Sequence, residues 1–126
     1  MKKLFISCPM KGRTEENIRN SMTRLHRIAE AFFDQELEVI PTYIEDNPPA
    51  DSKPAVWYLG ESIKKMAEAD YFIGVDRAYE VFNGCDVEFR VARAYNIPYT
   101  LVDMDMMPDA CEILNAHWTR RNVTAK

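Results

Sequence analysis

The segment "YFIGVDRAYEVFNGCDVEFRVARAYNIPYTLVDM", residues 71–104, holds the architecture of the chain in miniature. An apolar run, Tyr71 to Val75, gives way to a polar loop. Asn83-Gly84 then signals a turn, and Asn96-Ile97-Pro98 stops the helix that runs between the two. The chain returns as a second apolar run, "YTLVDM", at 99–104. Both runs are mostly apolar rather than alternating, which predicts neighbouring parallel strands covered on both faces and joined by a helix.

Working outward, the pattern repeats. "KLFIS", residues 3–7, reads as a first buried strand and leads into the loop "CPMKGR". From Thr14 to about Phe33 the apolar residues Ile18, Met22, Leu25, Ala29, Phe32 and Phe33 recur at helical spacing, with Thr14 as the amino-terminal cap. "LEVIPTYI", residues 37–44, is a second strand. The Pro- and Asp-rich loop "EDNPPADSKP" follows. Ser52 is expected to cap the next helix, with Pro54 in its first turn and Val56, Leu59, Ile63, Met66 and Ala67 as its apolar stripe. After residue 104 the sequence reads as a loop, a short helix and a polar tail, with room for a fifth element at the carboxyl terminus.

These alternations predict an α/β fold over residues 1–126 as a single domain: a flavodoxin-like, Rossmann-like three-layer sandwich with a parallel sheet in the order 2-1-3-4. Winding reverses between strands 1 and 3, and ligands of such sheets bind where the strands at that reversal end. The loops "CPMKGR" and "DRAYEVFNGCDVE" are therefore expected to form the site.

Composition narrows the function classes. Of 126 residues, 47% are hydrophobic and 29% charged, and the net charge is −4, so no basic footprint for a nucleic-acid polymer is present. No apolar run is long enough to span a bilayer, and the start of the chain has no long apolar signal region. A cytoplasmic location without membrane partners is the expectation. The three cysteines, Cys8, Cys85 and Cys111, have no C-x-x-C spacing, and His26 and His117 are isolated. Neither a disulfide framework nor a metal site nor a cofactor is indicated; His26 is expected to be a plain surface residue.

Chemistry concentrates at both ends of the predicted crevice. Asp86 and Glu88 fall just after a turn, where the first turn of a helix offers free N–H groups and the positive end of the macrodipole. Glu88 is therefore expected to be ionised, suited to act as a nucleophile or charge stabiliser rather than a proton donor. Two residues apart, the carboxylates point in different directions, so only one enters the crevice. "SCPMKG" can cradle an anion with Lys11 and backbone N–H groups, although it lacks the Walker pattern. Cys8 followed by Arg13 resembles the low-molecular-weight tyrosine phosphatase loop, with four intervening residues where that motif has five. Trp57, Tyr58, Tyr79 and Phe82 could stack on a planar base or serve as core.

Three motifs together resemble the nucleoside 2-deoxyribosyltransferase-like superfamily, most closely its small bacterial and phage members. "LFISCPMKG" is similar to the signature Y-I-(S/A)-G-P-M-x-G. "AEADYFIGV" matches a buried strand introduced by Ala-Asp, and "NGCDVEFRVARAYNIP" matches the G-x-x-x-E-x-x-x-A-x-x-x-x-x-P helix. The resemblance spans roughly residues 3–102. It implies cleavage or transfer at the N-glycosidic bond of a nucleoside or nucleotide, as an N-glycosidase or 2-deoxyribosyltransferase, with Glu88 as nucleophile. It also implies a homo-oligomer, to which Trp118 could contribute. Phe5, Cys8, Pro9, Met10, Lys11, Gly12, Asn83, Gly84 and Asp86 are implied around the ligand, with Ser62 where the family usually has aspartate. Ser62, Phe82 in place of a phosphate-contacting serine, and Cys8 in place of glycine are departures. They keep a second expectation open: a weak or inactive nucleotide-binding or sensing module on the same fold.

Overall fold

The computed structural model describes residues 1–10, 13–42, 44–76 and 83–103. Their order is β1 (Lys2–Ile6), α1 (Glu15–Phe33), β2 (Leu37–Val39), α2 (Pro54–Met66), β3 (Tyr71–Asp76), α3 (Asn83–Ala94) and β4 (Tyr99–Asp103). The strands form one parallel sheet in the order β2-β1-β3-β4, as the sequence pattern predicts. The predicted carboxyl-terminal element, together with Cys111, His117 and Trp118, lies outside the described residues.

Strand alternation sends side chains to two layers. Leu4 and Ile6 of β1, with Ile73 and Val75 of β3, pack against Leu25 and Ala29 of α1. Phe5 and Phe72 point the other way, towards Met66 of α2 and Ala92 of α3. Their rings stack, with centroids 5.8 Å apart and planes within 10°. Burying these apolar side chains on both faces is what makes the central strands read as continuous apolar runs.

The long helix α1 has local signals at both ends. Thr14 is its cap, accepting from Asn17 N at 3.2 Å, and Glu15 and Glu16 occupy the first turn, where negative charge suits the macrodipole. It ends on Asp34, a left-handed residue with φ 54°, whose N–H bonds Glu30 O. Helix α3 stops in a similar way: Asn96 takes φ 59° and Ile97 N bonds Ala92 O at 2.9 Å, so the predicted Asn-Ile-Pro stop operates.

Several local expectations are corrected. Strand β2 spans three residues, not eight, because Pro41 carries no N–H for the ladder; Ile40 N, bonded to Leu4 O, is the last contact of that edge. Ser52 does not cap α2. Its hydroxyl donates to Pro49 O at 2.7 Å, Lys53 occupies the cap position, and no side chain caps the helix. Phe32 is 62% exposed and Val56 63% exposed, both off the stripes assigned to them. His26 is half-buried rather than a plain surface residue: its Nε2 lies 2.8 Å from Leu37 O and 3.3 Å from Glu30 Oε2, tying α1 to β2.

The contrast between Leu25, fully buried, and Phe32 tests this packing. Leu25→Ala is expected to cost about 2–5 kcal/mol in urea unfolding, against under about 1 kcal/mol for Phe32→Ala. Equal losses would mean that the buried stripe of α1 has been placed wrongly.

Candidate active site

Because β1 and β3 are adjacent and parallel, both finish on the same edge of the sheet, and the winding reverses between them. A cleft with a cavity volume of about 490 Å³ opens there, within the usual range for small-ligand sites. Phe5 and Ile6 form its floor, and Cys8, Pro9 and Met10 form one wall. Asn83, Gly84, Cys85 and Glu88 of α3 form another, and Thr42 and Ile44 with Ala55, Tyr58, Leu59 and Ser62 of α2 close the far side.

Of the residues singled out in the sequence, Phe5, Cys8, Pro9, Met10, Ser62, Asn83, Gly84 and Glu88 thus meet in one cleft. Lys11, Gly12, Tyr79 and Phe82 lie outside the described residues. Asp86 does not line the cleft. Its carboxylate accepts from Arg90 Nε at 2.9 Å, one helical turn on, an exposed pair of little energetic weight. A Cβ built on Gly84 meets nothing within 4 Å, so protein packing alone does not demand glycine at that position.

Glu88 departs from its expected state. Helix α3 begins at Asn83, which leaves Asp86 in the first turn and places Glu88 beyond it, where the macrodipole has largely faded. Burial dominates instead and pushes the carboxyl from 4.5 up to about 7, although the Ser7 hydroxyl, donating to Oε1 at 2.7 Å, pulls the other way. Glu88 is therefore divided between acid and anion near neutrality. Such a group can take or give a proton, or attack as a desolvated carboxylate.

The phosphatase-like reading of Cys8 fares poorly. Burial raises the Cys8 thiol to about 11 even though Arg13 lies beside it, so the nucleophilic thiolate is scarce near neutral pH. Arg13 Nη1 donates to Pro9 O at 2.6 Å, and Nη2 donates to Ser21 Oγ at 2.6 Å and Asn17 O at 3.1 Å. The guanidinium thereby stitches the loop to α1. Cys85 is pushed still higher, to about 12, chiefly by burial.

Two parts of the site carried weak sequence signals. Ala55, Tyr58, Leu59 and Ser62 follow the i, i+3, i+4, i+7 rule and form a second face of α2, beside the Ile63 and Met66 face that packs inward. Ser7 reads in the sequence as an ordinary strand residue; its place directly after β1 is the available clue. Among the described residues no group of three or more His, Cys, Asp or Glu side chains could hold a metal, and no helix is long and apolar enough to cross a membrane.

Comparison of the chain with protein-family models, with curated proteins and with solved structures gives no match.

The raised Glu88 acid has a consequence for stability. Below about pH 4.5 it is protonated in folded and unfolded chains alike. As pH rises towards 7 the unfolded chain loses its proton first, and the native state loses stability. Glu88→Gln removes that penalty and retains an acceptor for Ser7. In urea unfolding at pH 8 the variant is expected to be more stable by on the order of 1–3 kcal/mol, with the gap closing towards pH 4.5. A variant no more stable than the parent at pH 8 would show that the carboxyl is not desolvated.

Proposed function

We propose that the protein cleaves or transfers the N-glycosidic bond of a nucleoside or nucleotide, with Glu88 as the nucleophile. The observation that carries this reading is the Glu88 carboxyl on the wall of a cleft of about 490 Å³, held by Ser7 and half-buried at the sheet's reversal point. The resemblance of its motifs to the nucleoside 2-deoxyribosyltransferase-like superfamily supplies the substrate class.

As the bond from the anomeric carbon to the base nitrogen breaks, the sugar takes on oxocarbenium character, and the departing base carries away the bonding pair. A carboxylate beside that carbon stabilises the growing positive charge and then closes on it, giving a glycosyl ester of Glu88. Water or a second base attacks the same carbon, breaking the ester bond and restoring the carboxylate, and the proton lost by the attacking group balances the one taken up by the departed base. Partial desolvation favours this use, since a poorly hydrated anion gains more from an adjacent cation than a hydrated one. In the cleft, Met10 and Tyr58 offer apolar surface for sugar and base, while Asn83 and Ser62 offer hydrogen bonds.

A second reading rests on Ser62, which occupies the cleft where the resembling family usually has a carboxylate, and on the largely protonated state of Glu88 below pH 7. Under it the cleft binds a nucleotide without turning it over. Incubation with a panel of nucleosides and their 5′-monophosphates, with chromatography for free base and thermal-shift measurement in parallel, separates the two. Base release should rise with pH through about 7, in step with the carboxylate. Glu88→Gln and Glu88→Ala should lower it at least about 10³-fold while leaving the fold intact. Ligand-induced stabilisation with no free base would favour the binding module; equal release from parent and variants would remove Glu88 from the chemistry.

A further inference from the structure

We propose that Ser7 is the positioning residue of this site: its hydroxyl holds Glu88 Oε1 against the end of β1 and leaves Oε2 as the oxygen that meets a ligand in the cleft. The inference deepens the glycosidic reading and rests on it for its catalytic meaning, but the geometry stands apart from any activity. Ser7 is 2% exposed, and its backbone N–H donates to Ile73 O at 2.8 Å, which extends the β1–β3 pairing by one residue. The backbone that carries the hydroxyl is thus fixed by the two central strands. The hydroxyl reaches across to α3 and donates to Glu88 Oε1 at 2.7 Å.

A hydroxyl has one proton and two lone pairs, so its direction must be set by its neighbours. Cys85, one turn before Glu88 on α3, is buried, and burial keeps it a thiol. The Ser7 proton is directed at the Glu88 carboxyl, 2.7 Å away, and favours the anion at Oε1. Among the described residues, Cys8, after β1, and Cys85 are titratable groups that feel the charge of Glu88. Arg13 stands behind Cys8, to which its Nη1 donates at 3.7 Å. The α2 wall offers Tyr58 and Ser62. Among the described residues, Ser7 is the one hydrogen-bond donor to the Glu88 carboxyl.

The test is a ¹³C NMR titration of glutamate side-chain carboxyls in the unliganded protein, with the Glu88 signal assigned from its disappearance in Glu88→Gln. In Ser7→Ala the Glu88 midpoint should move up by about one pH unit or more, the shift expected when a hydrogen bond to an anion is lost. Ser7→Cys, of similar volume but a weak donor, should move it the same way. Ser7→Thr keeps the hydroxyl, and the cavity of about 10 Å³ beside Ser7 can help accommodate its methyl group; it should bring the midpoint back towards the parent value. An unchanged midpoint in folded Ser7→Ala or Ser7→Cys would overturn the proposal. If the midpoints shift as expected but none of the proteins releases base from any nucleoside, the glycosidic reading fails while the role of Ser7 stands.

Discussion

Pairing β1 in parallel with β3, with Leu4 opposite Tyr71 and Ile6 opposite Ile73, brings the ends of both central strands to one edge of the sheet. The connections leaving them must then diverge, since α1 lies on one face while α2 and α3 lie on the other. Divergence opens the cleft. It also sets the positions of the chemistry, because Ser7 follows β1 directly and α3 begins across from it. A slip of one residue in this pairing would turn Ser7 to the α1 face and take its hydroxyl away from Glu88.

At Glu88 two opposing effects are visible, and their relative size decides its character. Removing a carboxyl from water favours the neutral acid; one short hydrogen bond from Ser7 favours the anion. Burial wins, but only far enough to leave the group near neutrality. Asp86, two residues earlier, shows the alternative outcome on the same helix: it turns outward, meets Arg90 and has no place in the cleft. The two buried thiols nearby stay protonated for the same reason that Glu88 is raised. Of these three groups, Glu88 is the one that changes charge near neutrality.

Much of the fold was legible because apolar run length and helix punctuation are local properties. The Thr14 cap and the Asn96 stop follow from residues within a few positions of one another, and the strand order follows from the alternation of strands and helices with right-handed crossovers. What the sequence hid depended on contacts between distant segments. Ser7 and Glu88 are eighty-one positions apart, so nothing local announced their hydrogen bond. The expectation of an ionised Glu88 rested on its distance from a turn, and it failed because the helix starts early enough to carry the residue past its first turn. His26 looked isolated for the same reason, since its partner at Leu37 belongs to the next strand. The α2 wall was partly visible: four residues at helical spacing formed a second stripe, but nothing in the pattern said whether it faced water or a cavity.

The central claim is that the Glu88 carboxyl faces a bound sugar in the cleft between the ends of β1 and β3. A crystal structure of Glu88→Gln soaked with a nucleoside tests it most directly, because the variant retains the side-chain shape without the nucleophile. The account predicts density for the nucleoside in the cleft with its anomeric carbon roughly 3–3.5 Å from the substituted side chain. A nucleoside seated elsewhere on the protein, or lying in the cleft with its base rather than its sugar against position 88, would contradict it.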